Sequence, residues 1–159
     1  MTAGDRVNIA AVMPDATALV FVLNGPNLNL LGTREPDVYG HDTLDDIAVR
    51  LEDHAATLGL TIDLRQSNHE GHLIDWLHEA ASRGAKGVIL NAGGLTHTSV
   101  ALHDACRSIA TPVIEVHLSN PAARESFRHH SFVAPATRGS ITGLGALGYV
   151  LALDAIAAF

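Results

Sequence analysis

The order of residue patterns along this chain predicts an α/β fold: a five-stranded parallel sheet between two layers of helices, a three-layer sandwich. Two observations carry the prediction. Short apolar runs bounded by Gly, Asn or Pro recur along the sequence, and between them apolar residues return at every third or fourth position. The composition agrees, since 47% hydrophobic, 17% charged and only 4% aromatic residues suit a core of Ala, Val, Leu and Ile. At 159 residues the chain reads as one domain. That length buries roughly 70% of the unfolded surface without disulfide or metal.

The first strand is the uninterrupted run Leu19–Leu23. Thr43 and Asp46 form a capping-box pattern ahead of Leu44, Ile47, Leu51, Ala55 and Leu58, and Gly59 ends that helix. Leu60–Arg65 alternates as a second strand, then Leu73, Ile74, Leu77, Ala80 and Ala81 follow at helical spacing up to Gly84. Gly87–Leu90 is a short buried strand ending at Asn91, and a helix over Val100–Ile109 begins near Thr98 and Ser99. Pro112–His117 is the fourth strand. A last one around Thr137–Ile141 feeds a Gly-rich C-terminal helix, inside which Gly143, Gly145 and Gly148 read as close-packing positions. Strict alternation of strand and helix calls for right-handed crossovers and a sheet covered on both faces, and five such strands fit a flavodoxin-like arrangement.

Composition removes several function classes. A net charge of -7, with ten Lys plus Arg spread through the chain, offers no basic stripe for nucleic acid. Residues 1–18 read as a flexible leader before a single domain over 19–159, because Asp5, Arg6, Asn8, Pro14 and Asp15 break the apolar run a signal peptide needs. Gly143, Gly145, Gly148 and Asp154 interrupt the apolar stretch Ile141–Phe159, so a buried or interface helix is expected there and no membrane partner. The one cysteine, Cys106, falls in an apolar helical pattern and reads as a core residue in a reducing compartment, with a cytoplasmic location expected. Among ten histidines, His69, His72, His129 and His130 do not complete a set of three or four ligands, so no metal is expected. A phosphate loop with its Lys, a G-x-G-x-x-G after the first strand and a G-x-S-x-G elbow are all missing from the sequence.

In such a sheet every strand's carboxyl end faces one side, and ligands sit there. Asn24 and Asn27 follow the first strand, Arg65, Gln66 and Ser67 the second, Asn91, Gly93 and Gly94 the third, and Glu115, His117, Leu118 and Ser119 the fourth. This rim of mostly neutral donors and acceptors suits a small polyhydroxylated molecule. Asn91–Ser99 leads into a helix amino end able to receive a carboxylate or phosphate. Arg124 and Arg128, four apart, would share a helix face and could close over an anion, or else lie solvated at the surface. In the long connection up to Gly40, Arg34 and Tyr39 stand five apart. A guanidinium beside a phenol can hold it ionised and make it a base; the plain alternative is a surface lid with a packed tyrosine.

Taken in order, LNGPNLNLLG with R-x-P-x-x-Y-G up to Gly40, Gln66–Gly71, Asn91-Ala92-Gly93 to Thr96-His97-Thr98-Ser99, Ile114–Asn120, Arg124-Glu125-x-Phe127-Arg128 and Gly143-Leu144-Gly145 resemble the type II 3-dehydroquinate dehydratases. The resemblance runs from about Leu19 to the C-terminus. It implies a flavodoxin-like fold and dehydration of 3-dehydroquinate to 3-dehydroshikimate, in the shikimate or quinate pathway, with no metal or organic cofactor. By the same resemblance Tyr39 is the base, kept as phenolate by Arg34, and His117 is the acid that protonates the leaving hydroxyl. Asn27 positions a water against the enolate oxygen. Asn91, Gly93, Gly94, His97, Leu118, Ser119, Arg124 and Arg128 are expected around the substrate's hydroxyls and carboxylate. Asp104 is expected to reach a neighbouring subunit's site within a trimer, four trimers making a dodecamer.

The chemistry is consistent with these roles. The substrate's ketone lets the adjacent proton leave if the enolate is stabilised, and the tertiary hydroxyl must then be protonated to depart. Ionising a phenol near neutral pH costs about 4 kcal/mol, within reach of a desolvated guanidinium under a closed lid. Glu115, two residues before His117 on a strand, faces the same way and could orient the imidazole or hold it charged. Ala134–Gly139 and Leu95 depart from the family's usual residues. Two other readings have residues against them: a lysine Schiff-base dehydratase, for which the only lysine, Lys86, precedes the third strand at the far end of the sheet, and a catalytically silent binding module, against which Arg34, Tyr39 and His117 are all present.

Overall fold

The computed structural model describes residues 17–159, so the leader expected over 1–18 lies almost wholly outside the described residues. Five strands form: β1 (Ala18–Asn24), β2 (Leu60–Gln66), β3 (Gly87–Asn91), β4 (Val113–His117) and β5 (Gly139–Thr142). The helices are α1 (Pro36–Tyr39), α2 (Leu44–Thr57), α3 (Glu70–Ser82), α4 (Val100–Arg107) and α5 (Leu147–Ala157). The strands pair in parallel in the order β2-β1-β3-β4-β5, the flavodoxin-like order, and the chain reverses direction across the sheet between β1 and β3.

The strands' alternation sorts side chains into two cores. Val20, Val22 and Ile89 point to the face where Ile47 and Leu51 of α2 and Leu153 and Ile156 of α5 pack. Phe21, Leu23, Val88 and Leu90 point to the other face, against Leu73 and Leu77 of α3 and Leu102 of α4. Cys106 lies in that second core, and its burial pushes the thiol up to about 12, so it stays protonated. The expected capping box starts α2: Asp46 N–H donates to Thr43 Oγ1 at 3.1 Å, and Thr43 N–H donates to Asp46 Oδ2 at 2.9 Å.

Four sequence expectations need correction. Strand and helix do not alternate strictly, because three short 3-10 turns, Pro121–Ala123, Ser126–Arg128 and Ala134–Ala136, connect β4 to β5. Pro121 and Pro135 punctuate this stretch and Asn120 caps its first turn through Ala122 N–H at 3.1 Å, while Arg124 and Glu125 are extended. Arg124 and Arg128 therefore share no helix face. Gly143 and Gly145 lie before the last helix, in a turn with φ of 81° and 58°; Gly143 packs closely there against Asn120, Gly145 faces open space, and Gly148 alone of the three lies within the helix, against Ile141 and Val116. Arg65 points away from the rim and bonds Asp63 and Glu79 at 2.6 to 2.9 Å beneath α3.

Candidate active site

Where the sheet order reverses, β1 and β3 end side by side, Asn24 level with Asn91. Gly25 N–H bonds the Asn91 carbonyl at 2.8 Å. A Cβ on Gly25 would sit 2.5 Å from the Ala92 carbonyl oxygen, so only glycine lets the two loops pass this closely. Above them opens a cavity of about 180 Å³. Asn27, Arg34 and Tyr39 line it from the β1 connection, Asn91, Gly93, Gly94 and His97 from the β3 connection, and His117, Leu118, Ser119, Arg124 and Arg128 from β4 and the turns after it. Of the residues that the family resemblance names, only Glu115 and Asp104 are not in this lining; of the wider rim expected at the strand ends, Asn24, Arg65, Gln66 and Ser67 also lie outside it.

Pro26, Leu28 and Pro121 also line the cavity and were not singled out from sequence. Their nearness to the carboxyl ends of β1 and β4 was the available signal, masked by side chains without reactive groups. Asn24, expected on the rim, is instead fully buried below it. Asp104 lies exposed on α4, apart from the cavity lining.

The lid over the cavity holds two non-glycine residues in left-handed conformation, Asn27 at φ 68° and Glu35 at φ 40°. Asn tolerates this region, whereas Glu35, directly before Pro36, is strained by something on the order of 1–3 kcal/mol. The Glu35 carbonyl accepts from Tyr39 N–H at 3.1 Å, closing the one-turn helix that carries Tyr39.

Arg124 Nη2 donates to Tyr39 Oη at 3.0 Å, and its Nη1 donates to Ser119 Oγ at 3.0 Å. Arg34 lies over the ring face instead, its guanidinium carbon 5.3 Å from the centroid and its Nε 3.4 Å from Glu35. The guanidinium bonded to the phenol oxygen is thus Arg124's, while Arg34, expected from sequence to keep the phenol ionised, stands beside the ring without a hydrogen bond to that oxygen. Sequence spacing favoured the neighbour five positions away; Arg124 is 85 positions away and reaches Tyr39 through the fold.

On β4, His117 Nε2 lies 2.7 Å from Glu115 Oε1, and Glu115 is only 2% exposed. Thr96 also donates to Glu115 Oε1, and Ser140 donates to Oε2 at 3.1 Å. Burial pushes the Glu115 carboxyl up, but the hydrogen bond and charge of His117, with the Thr96 and Ser140 hydroxyls, outweigh it and hold the group below the usual carboxylate range. An ionised Glu115 accepts only, so His117 Nε2 carries a proton, and the ring gives up a proton from its other nitrogen only as imidazolium. Behind Glu115 a second cavity of about 200 Å³ is lined by Thr96, Ser131 and Ser140.

Three guanidiniums and His97 around a small cleft suit an anionic, oxygen-rich molecule. Among the described residues, no three His, Cys, Asp or Glu side chains gather to hold a metal ion.

Residues 18–157 match the family described as dehydroquinase class II. A 3-dehydroquinate dehydratase of Chelativorans sp. (strain BNC1) is 61% identical over 140 residues, covering 87% of this chain and 96% of that protein. One from Rhodopseudomonas palustris (strain BisA53) is 58% identical over 139 residues, covering 87% of this chain and 92% of the relative. Among solved structures, the type II dehydroquinase from Propionibacterium acnes superposes with a TM-score of 0.85 at 45% identity, covering 89% of this chain and 97% of that one.

Proposed function

The chain belongs to the class II dehydroquinases, and from that premise we propose that it dehydrates 3-dehydroquinate to 3-dehydroshikimate through an enolate, with Tyr39 as base and His117 as acid. The observation that carries the mechanism is the Arg124–Tyr39 hydrogen bond in a cavity that His117 also lines, with Glu115 bonded to His117 from outside that lining.

Tyr39 as phenolate takes the proton next to the ketone, and the electron pair moves onto the carbonyl oxygen. Asn27 steadies a water against that enolate oxygen. Arg124 supplies the charge that favours the phenolate by direct hydrogen bond, and Arg34 adds its charge from the ring face. The enolate then collapses, the carbon–oxygen bond to the tertiary hydroxyl breaks, and His117 protonates the departing oxygen so that water leaves. Glu115 holds the imidazolium that does this. Asn91, His97, Ser119, Arg128 and the backbone at Gly93, Gly94 and Leu118 bind the substrate's hydroxyls and carboxylate.

No step in this scheme calls for a metal or organic cofactor. The reaction would serve the shikimate or quinate pathway in the cytoplasm. Asp104, exposed on α4, would complete a neighbour's site in a trimer, with four trimers forming a dodecamer.

The test is ultraviolet absorbance after adding 3-dehydroquinate to purified protein with a chelator present, since the product is a conjugated enone. Absorbance should rise. No rise would overturn the proposal, and a rise that the chelator abolishes and metal restores would overturn its metal-free part. Light scattering should give a trimer or a multiple of it; a fully active monomer would remove Asp104 from its role across the boundary.

A further inference from the structure

Tyr149 on α5 is wholly buried, yet its hydroxyl lies between two amide side chains at the ends of β1 and β3. It donates to Asn24 Oδ1 at 2.6 Å and accepts from Asn91 Nδ2 at 2.8 Å. The two outer links fix every direction in this chain. Asn24 Nδ2 donates to the Arg65 carbonyl at 3.1 Å, a group that can only accept, so Asn24 turns its oxygen toward Tyr149 and requires a donor there. Asn91 Oδ1 accepts from Gly93 N–H at 3.2 Å, a group that can only donate, so Asn91 turns its nitrogen toward Tyr149 and requires an acceptor. A hydroxyl satisfies both at once, and no apolar side chain or carboxylate would. Burial pushes the phenol's pKa upward, which keeps the proton in place for Asn24.

We infer that Tyr149 is a positioning residue for the reaction: it fixes the amide of Asn91, in the floor of the cavity, so that its remaining N–H faces the substrate. The inference rests on the reading of Asn91 as a substrate-binding residue. The phenol touches neither the cavity nor the reacting atoms, and it acts only through Asn91. Tyr149→Phe keeps the ring and its packing but leaves Asn24 without a donor and Asn91 without an acceptor, freeing the Asn91 amide to turn.

The experiment is a double-mutant cycle on steady-state kinetics, using Tyr149→Phe, Asn91→Ala and both together. Tyr149→Phe should raise KM about tenfold, the effect of one oriented hydrogen bond, with kcat within a few-fold of wild type. In the Asn91→Ala background the same change should leave KM unaltered, because the amide it positions is gone. Ile156→Val, a truncation on the same helix, is the control for lost stability and should leave KM at the wild-type value. If Asn91→Ala raises KM but Tyr149→Phe does not, or if the two effects add, the positioning role is overturned while the substrate-binding reading stands. If Asn91→Ala leaves KM unchanged, that reading fails and the inference fails with it. Should Tyr149→Phe not fold, Asn24→Leu removes the acceptor that commits the phenol's proton and should raise KM in the same direction; a wild-type KM there overturns the proposal.

Discussion

Arg124 holds the Tyr39 hydroxyl at 3.0 Å from a position 85 residues away, with its other terminal nitrogen 3.0 Å from Ser119. Tyr39 ends α1 in the β1 connection and Ser119 follows β4, so one planar guanidinium ties two separate walls of the site together. One side chain thereby both anchors Tyr39 at the cavity and gives its oxygen a cationic donor.

Tyr39→Phe removes the oxygen and little volume, so Asn91, His97, Ser119 and Arg128 should still hold the substrate and affinity should change little. Turnover should lose the sole proton acceptor of the proposed mechanism. Base catalysis contributes about 100- to 10,000-fold, and a fall at or beyond the upper end is expected. Titration with a substrate analogue and single-turnover rates check this, and turnover within a few-fold of wild type would take Tyr39 out of the base role.

The two arginines near Tyr39 should differ in degree. Arg124→Ala deletes the hydrogen bond to Oη, while Arg34→Ala deletes only a charge over the ring. Both variants should be slow near neutral pH and partly rescued in alkali, where a phenol ionises unaided at about pH 10. Arg124→Ala should be the slower of the two, and Tyr39→Phe should show no rescue. Rate profiles to high pH decide it; an Arg34→Ala defect larger than that of Arg124→Ala would return the main electrostatic role to Arg34.

Lys86 tests the covalent alternative. Its backbone N–H bonds the Leu19 carbonyl at 2.8 Å, at the amino ends of β1 and β3, the opposite end of the strands from the cavity. Borohydride added with substrate should therefore leave the protein active and unlabelled. A substrate adduct on Lys86 by mass spectrometry would replace the enolate scheme with an imine.

What the sequence made legible was local or periodic. The capping box at Thr43, the apolar repeats of α2 and α3 and the ends of β1, β3 and β4 depend on residues within a turn or strand of one another, so patterns name them. The β4–β5 connection defeated that logic because no apolar repeat runs through Leu118–Arg138, and its turns are set by Pro121, Pro135 and the Asn120 cap. Gly143 and Gly145 read from sequence as part of the last helix, whereas their positive φ belongs to the turn from β5 into α5. The Arg124–Tyr39 and Tyr149–Asn91 contacts join positions 85 and 58 apart, and only the packed fold supplies them.

Glu115 gives a pH test with a definite sign. Its folded carboxyl titrates below the ordinary value, so its contribution to stability is fully present above about pH 4.5 and is lost as pH falls through the folded value. Glu115→Gln mimics the protonated acid and lacks that contribution throughout. Melting curves from about pH 6 to pH 3 should therefore show wild type ahead of the variant at the upper end and the two converging at the lower end. Asp46, Asp63, Glu79 and Glu125 also titrate low, but they are common to both proteins and cancel in the difference. Activity should fall about 10- to 100-fold at neutral pH, less than removal of the proposed acid itself, because His117 loses its carboxylate partner but keeps its place on β4. Melting curves offset by a constant amount across the whole range would mean that Glu115 acts through packing and not through charge.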